Sequence, residues 1–445
     1  MINGEEMELA LFALERATAE GAGSARVSLS KSTEDLVATL DGRVDKVTHC
    51  ADRSLNISLF IDGRFGNFST NKLSRDAIAD FVHSSVAMAR ALAPDPCRKL
   101  PDPARYCNNA TEGDEMGIFD SGYGDICPED RIRTALDAAS YGRVNGTEYS
   151  LVSEEGEYSD SEYDLFIADT AGMRCRHRET CFDYGVEVTI EDRQGNKYSD
   201  YWWTSSPFRE KFNPSECGLE AVRRASTQIG SKAVRSGKYN MVISSDCASR
   251  MVSPLLNALN AYSIQQNNSF LAGSLGKQVF PEGLTIMDLP HIIGQTGSKL
   301  FDSEGVATKE APIIEKGCVS RYFVNTYMSE KLGIAATTEE ATRPRVMPWP
   351  EKGLDRDAIM ALCGDGILVT DFNGGNSNSA TGDFSYGISG QLFRNGKAVK
   401  PVSEMLVTGN FIELWKNLIA VGDDARPCMS KLIPTLAFAK VDFNG

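Results

Sequence analysis

The chain has 445 residues, 42% hydrophobic and 24% charged, with a formal net charge of −15. That length is too great for one ordinary core, so two or three domains are expected. Such an acidic surface repels a nucleic-acid backbone, the apolar runs are too short to cross a bilayer, and the composition suits an ordered globular protein.

The first residues include Glu5, Glu6 and Glu8 and no basic residue, unlike a secretory leader. The 11 cysteines are odd in number and form no CxxC pair. Both features predict reduced thiols and a cytoplasmic protein. Met7, Ala10, Leu11, Leu14 and Ala17 fall at helical spacing, which predicts a helix over 5–20 that Gly21 and Gly23 end. The period then becomes two. Leu36, Ala38 and Leu40 alternate up to Asp41-Gly42, and Leu55, Ile57, Leu59 and Ile61 alternate up to Asp62-Gly63. Asp-Gly between alternating runs is a hairpin signal, so 24–70 reads as an antiparallel meander packed on the first helix. A second helix is expected over 74–92, with Ser74 as its cap and Ile78, Phe81, Val82 and Ala89 on one face. His83 beside that face reads as a packing or surface residue.

Pro94, Pro96, Pro101 and Pro103 mark a linker. Loops follow over 110–130, a helix over 129–143, and antiparallel strands over 147–204 with a turn at Gly195-Asn196. Tyr201-Trp202-Trp203 reads as a core-facing strand, with a peptide platform as the alternative. A helix over 215–235 and a strand over 238–244 lead past a boundary near 237. Beyond it come a helix from about 246, an irregular stretch, and strands near 312–326, 364–371, 386–394 and 402–408, with Asn395-Gly396 as a hairpin turn. Strands and helices cluster without regular alternation. The expected class is therefore α+β: an N-terminal helix-plus-meander domain (1–95), a strand-rich central domain (110–235) and a larger mixed C-terminal domain (237–445).

Chemistry is sparse. His49, His83, His177 and His291 are the only histidines and are far apart in sequence, so HExxH and its relatives are absent. Cys175, His177 and Cys181 would share one face of a strand, so an ordinary sheet face explains them without a metal, and structural zinc usually needs four ligands in recognisable pairs. A nucleophile such as Cys363 with His291 lacks any flanking motif, and GxSxG, GxGxxG and GxxxxGK[ST] are absent. The residues alone name no reaction.

Ordered motifs in the C-terminal half go further. Ser269-Phe-Leu-Ala-Gly-Ser-Leu-Gly-Lys-Gln-Val-Phe280, Phe301-Asp-Ser-Glu-Gly-Val306, Ile313-Ile-Glu-Lys-Gly-Cys318, Thr381-Gly-Asp-Phe-Ser-Tyr-Gly-Ile-Ser-Gly390 and Val407-Thr-Gly-Asn-Phe411 follow one another in the order and spacing of the TldD/PmbA family, which the chain resembles over essentially its whole length. In that family the TldD-type subunit resembles a zinc peptidase with HExxxH on a helix and a cysteine ligand near the C-terminus. Histidines five apart lie about 140° around an ideal helix, so they meet one ion only where the helix is distorted. Here the corresponding stretch is Ser253-Pro254-Leu-Leu-Asn-Ala258, and no His or Glu occurs over 247–270. Cys428 falls near the family's cysteine.

Family motifs without the metal motif are those of the PmbA (TldE) side. The resemblance thus implies a non-catalytic subunit with no catalytic, cofactor-binding or metal-ligating residue and no cofactor. It implies a TldD-like partner, a flexible peptide as the complex's substrate, and a dimer. The family also carries the label of modulator of DNA gyrase, which nothing in this acidic sequence supports independently. A regulatory binding protein without a peptidase partner, and a stand-alone hydrolase using Cys363 or Cys428, are the alternatives. The candidate segments for holding extended peptide are 312–326 and 364–394, where Gly374, Gly375 and Gly387 either allow close backbone approach or only make turns.

Overall fold

Asn3 starts the first helix, α1 (Gly4–Ala19), by a reciprocal cap. Its side chain accepts the Glu6 amide at 2.9 Å, and the Glu6 carboxylate accepts the Asn3 amide at 3.0 Å. Strands β1 (Ser24–Leu40), β2 (Arg43–Ile61) and β3 (Arg64–Thr70) follow as the expected meander. Asp41 and Gly42, then Asp62 and Gly63, all have positive φ, which matches the right-handed twist of the hairpins they close. Helix α2 (Arg75–Arg90) is capped by Ser74. Together α1 and α2 cover Val27, Leu29, Leu55, Ile57 and Leu59, all fully buried. His83 is exposed and paired with Glu20.

The computed structural model describes all 445 residues, in two units. The first comprises Met1–Val222, His291–Thr308 and Asn325–Thr338. In it, α3 (Pro128–Ser140) precedes β4 (Tyr149–Asp169), β5 (Arg174–Asp192) and β6 (Lys197–Ser206), and α4 (Cys217–Ser226) ends at the start of the second unit. All six strands form one sheet in the order β3-β2-β1-β4-β5-β6. The proline-rich linker predicts a domain boundary at 95–110. Across it, β1 pairs antiparallel with β4 from Arg26 opposite Asp169 to Leu40 opposite Glu155, and Phe166 and Ala168 join the α1–α2 core. Side chains alternate between faces, so Ile167 and Cys175 point the other way, against Tyr106, Cys107, Ala110 and Phe301. The expected helix over 215–235 stops at Ser226. There the Ser226 and Thr227 hydroxyls donate to the Arg223 and Arg224 carbonyls that a continuing helix needs.

Glu154 on β4 is fully buried. One carboxylate oxygen accepts the Gly42 amide at 3.2 Å, and the other has no hydrogen-bond partner. Burial pushes its pKa from 4.5 up to about 7. Between those values the folded chain binds more protons than the unfolded chain, so stability should fall as pH rises from about 4.5 to 7 and level off above. The loss is on the order of 3 kcal/mol. Glu154→Gln should flatten that slope in urea unfolding across this pH range, and an unchanged slope would assign it to other groups.

The second unit comprises Arg223–Pro290, Lys309–Val324 and Glu339–Gly445. It begins with β7 (Gly237–Ile243), α5 (Ser249–Ala258) and α6 (Ala261–Gln265). Strands β8 (Ile286–Asp288), β9 (Ala311–Glu315), β10 (Cys318–Val319) and β11 (Pro344–Val346) make a small sheet ordered β10-β9-β8-β11. The single strand expected over 312–326 is broken at Lys316-Gly317, both with positive φ, because the Gly317 amide turns to donate to the Leu284 carbonyl. After β10 the chain contributes α7 (Thr326–Leu332) to the first unit. Then come α8 (Arg356–Cys363), β12 (Gly366–Ser377), β13 (Asp383–Arg394), β14 (Lys397–Asn410), α9 (Phe411–Lys416), β15 (Leu418–Val421) and β16 (Leu436–Asn444). The main sheet runs β14-β13-β12-β7-β16-β15, with β12 parallel to β7, and β14 also touches β16. Val242, Leu368, Phe393 and Ala437 pack against Ile359 and Met360 of α8. This clustering of strands and helices is the expected α+β class. No helix is long and apolar enough to cross a membrane.

Candidate functional site

Strand β7 delivers the chain to α5 through a tightly held turn. The Ser244 amide donates to the Val369 carbonyl, and Arg224 bridges Asp246, at 2.9 Å, and the Thr370 carbonyl, at 3.0 Å. Burial, then Asp246 and Asp371, push the Cys247 thiol well above its ordinary value, so this cysteine is inert packing. The apolar face of α5 (Met251, Val252, Leu255 and Leu256) is buried. Pro254 lies inside the helix, where its ring removes one main-chain donor.

The outer side of α5 borders a small, solvent-open cleft of about 70 Å³. Pro254, Asn257 and Ala258 form one wall, and Ser263 and Asn268 continue it past α6. Ser377, Asn378 and Ser379, at the tip of the β12–β13 hairpin, form the opposite wall. Phe270 and Phe411 complete the lining, stacked with centroids 5.8 Å apart, and Phe384 continues the stack at 4.8 Å from Phe411. Side-chain hydrogen bonds tie the hairpin tip together. Asn378 accepts the Ala380 amide, and Asn410 donates to the Thr381 carbonyl and to Asp383. The Phe270 amide donates to the Ser379 carbonyl at 3.1 Å, tying the two sides together.

No ionisable side chain lines this cleft. Amides and hydroxyls over an aromatic floor are neutral donors and acceptors, suited to peptide groups more than to a charged ligand. Next to the cleft, Asn373 to Ser377 of β12 pair with β13 on one side and are exposed, while the β12–β7 ladder has already ended at Val369. An edge of this kind can accept an extended chain through main-chain hydrogen bonds.

A metal does not fit these residues. Hydroxyl, proline and methyl groups stand where Ser253, Pro254 and Ala258 occupy α5, and nowhere do three His, Cys, Asp or Glu side chains gather into a ligand set. Cys428 lies in a turn closed by the Met429 amide on the Arg426 carbonyl, and Lys431 of the same loop reaches the Ser253 hydroxyl at 3.3 Å. An ammonium group at that position repels a cation.

The other candidates do not converge. Cys175 donates to the Cys107 carbonyl, His177 pairs with Glu179 at 3.2 Å and packs edge-on to Phe301, and Cys181 meets the Ser205 hydroxyl. Burial pushes the Cys363 thiol up to about 11, and His291, in the first unit, pairs with Thr308. On β6, Tyr201 is exposed while Trp202 and Trp203 are half-buried. Gly375 and Gly387 are close to backbone, but to each other's strands. A Cβ on Gly375 would lie 2.1 Å from the Ser385 oxygen, and one on Gly387 would lie 2.2 Å from the Asn373 oxygen. Asn257, Asn268, Asn378 and Phe411 were missed from sequence. The polar run Asn373 to Ser379 was the one available signal.

Three models of the PmbA/TldA metallopeptidase match, the first domain over residues 25–89, the central domain over 124–229 and the C-terminal domain over 236–445. The chain is 28% identical to the metalloprotease PmbA of Escherichia coli O157:H7, over 96% of this chain and 94% of that one. A crystal structure from Bacteroides thetaiotaomicron, of a candidate modulator of DNA gyrase, superposes with a TM-score of 0.94 at 36% identity, covering 100% of both chains. TldE from Thermococcus kodakarensis shares the fold, with a TM-score of 0.82 at 16% identity over 99% of this chain and 100% of that one.

Proposed function

The chain belongs to the PmbA/TldD metallopeptidase family, and on that footing we propose that it is a non-catalytic, TldE-like subunit of a TldD-type peptidase complex acting on unfolded or flexible peptides. The observation that carries this reading is α5. It presents Pro254, Asn257 and Ala258 to a neutral cleft and offers neither imidazole nor carboxylate. Water activation in this family's chemistry needs both, so the bond-breaking step falls to the partner subunit. The role left to this chain is to hold extended peptide, main chain against the β12 edge and a neutral side chain or peptide group in the cleft. A hydrolase built on Cys363 is disfavoured, because a thiol held up near 11 is almost wholly protonated at neutral pH. The eleven cysteines all stand as free thiols, which fits a cytoplasmic setting.

The test is reconstitution with a TldD-like partner and an unstructured peptide. The purified chain should contain no stoichiometric zinc by elemental analysis and should cut nothing alone. Cleavage by the partner should rise when the chain is added. Asn257→Trp, which fills the cleft from an exposed helix position, should abolish that rise while leaving association intact. Stoichiometric zinc, cleavage by this chain alone, or a partner equally active without it would overturn the proposal.

A further inference from the structure

Strand β2 is an edge over half its length. Its β3 neighbour covers only Leu55 to Ile61, so Arg43 to Arg53 pairs with β1 on one side and with no strand on the other. Every residue from Arg43 to Arg53 is exposed except half-buried Thr48, and Val47 is 55% exposed. A long edge with unpaired main-chain donors and acceptors invites another strand, and charged residues normally blunt it. Here the charges are ordered so that they attract their own copy.

We infer that a second copy of this chain pairs antiparallel along this edge, with His49 opposite His49 at a two-fold axis, joining the two six-stranded sheets into one. In that register Asp45 faces Arg53 of the second copy, Lys46 faces Asp52, Val47 faces Ala51 and Thr48 faces Cys50. Symmetry makes each contact twice, giving opposite charges at both ends and small or apolar groups inside them. Shifting the register by one residue sets Asp45 against Asp52, or Lys46 against Arg53. Shifting it by two sets Arg43 against Arg53, or removes both ion pairs. The charge order therefore selects one register as well as one partner. His49 is held by Asp35 of its own β1 at 2.9 Å, so a carboxylate accompanies each imidazole near the axis. The inference stands apart from the peptidase reading, since the edge lies in the first unit and the cleft in the second.

Light scattering and analytical ultracentrifugation of the full chain, without any partner, test it. The wild-type chain should be a dimer. Lys46→Asp and Asp52→Lys should each raise the dissociation constant about tenfold or more, because each creates two like-charge contacts. The combined Lys46→Asp/Asp52→Lys chain should return to the wild-type value. His49→Cys in a Cys50→Ser background should form an inter-chain disulfide under mild oxidant, since residues directly opposite on antiparallel strands have Cα atoms about 4.5–5.5 Å apart, within the span of a disulfide. A monomeric wild type, a dimer indifferent to the single changes, or a combined variant as weak as the single ones would overturn the inference. All these positions are on the surface, so loss of folding does not imitate the expected pattern.

Discussion

Arg131→Met is expected to destabilise the first unit by about 3–5 kcal/mol, the usual result of removing one partner from a buried ion pair. Arg131 is 8% exposed and anchors α3 to the sheet. Its Nε and Nη2 donate to Asp160 at 2.8 and 2.9 Å, its Nη1 donates to the Ile126 carbonyl at 2.9 Å, and Asp35 stands 3.1 Å away. Burial works against the positive charge, but Asp160 and Asp35 hold the guanidinium well above its ordinary value. The Asp160 side chain has no solvent exposure, and its other donor is the Tyr158 hydroxyl at 2.7 Å. Without Arg131 this carboxylate keeps its burial and loses its countercharge. The double change Arg131→Met/Asp160→Leu should therefore destabilise less than Arg131→Met alone. With two units in the chain, unfolding need not be two-state, so the readout is urea-dependent hydrogen exchange of β1 and β4 amides. Unchanged protection in Arg131→Met would show that apolar packing alone seats α3.

The second large effect concerns two adjacent glycines of β12. Gly375→Val should disrupt the β12–β13 hairpin at a loss above about 4 kcal/mol, whereas Gly374→Ala should lose about 1 kcal/mol. Both residues have positive φ, +90° and +74°. They differ in surroundings. A Cβ on Gly375 would lie 2.1 Å from the Ser385 oxygen and 2.7 Å from the Tyr386 Cα, backbone atoms that cannot move aside, while a Cβ on Gly374 meets nothing within 4 Å. The ladder is already irregular here, with a bulge between Asn373 and Gly375. Hydrogen exchange of β13 amides would separate the variants, and equal protection in both would contradict the steric account. From sequence, these glycines are expected either to admit a peptide backbone closely or only to make turns. The close approach at Gly375 and Gly387 is made by the neighbouring strand, so those positions report on the sheet, and Asn257 is the better probe of the cleft.

The N-terminal half was the most legible part. Its signals are local: Ser74 and Asn3 act within one helical turn, and Asp41-Gly42 and Asp62-Gly63 close hairpins between alternating runs. Helix α4 was read too long, because serine and threonine took carbonyls a propensity count assigns to the helix. The strand over 312–326 was misread because the Lys316-Gly317 turn answers to Leu284 and Phe280, far away in the chain.

The sequence by itself determined that no HExxxH-type histidine or glutamate stands on α5. The absence of His and Glu over 247–270 is a property of the letters, and no folding supplies an imidazole that is not encoded. It also determined the α+β class, since side-chain period is written residue by residue. Only the tertiary structure decided that the strands on both sides of the proline linker share a sheet, and that Asn257, Asn378 and Phe411 meet around one cleft. Those neighbours are joined by long loops and by pairings such as β7 with β12. Their contact depends on burial and main-chain hydrogen bonding summed over a whole sheet, and no single position or local period records it.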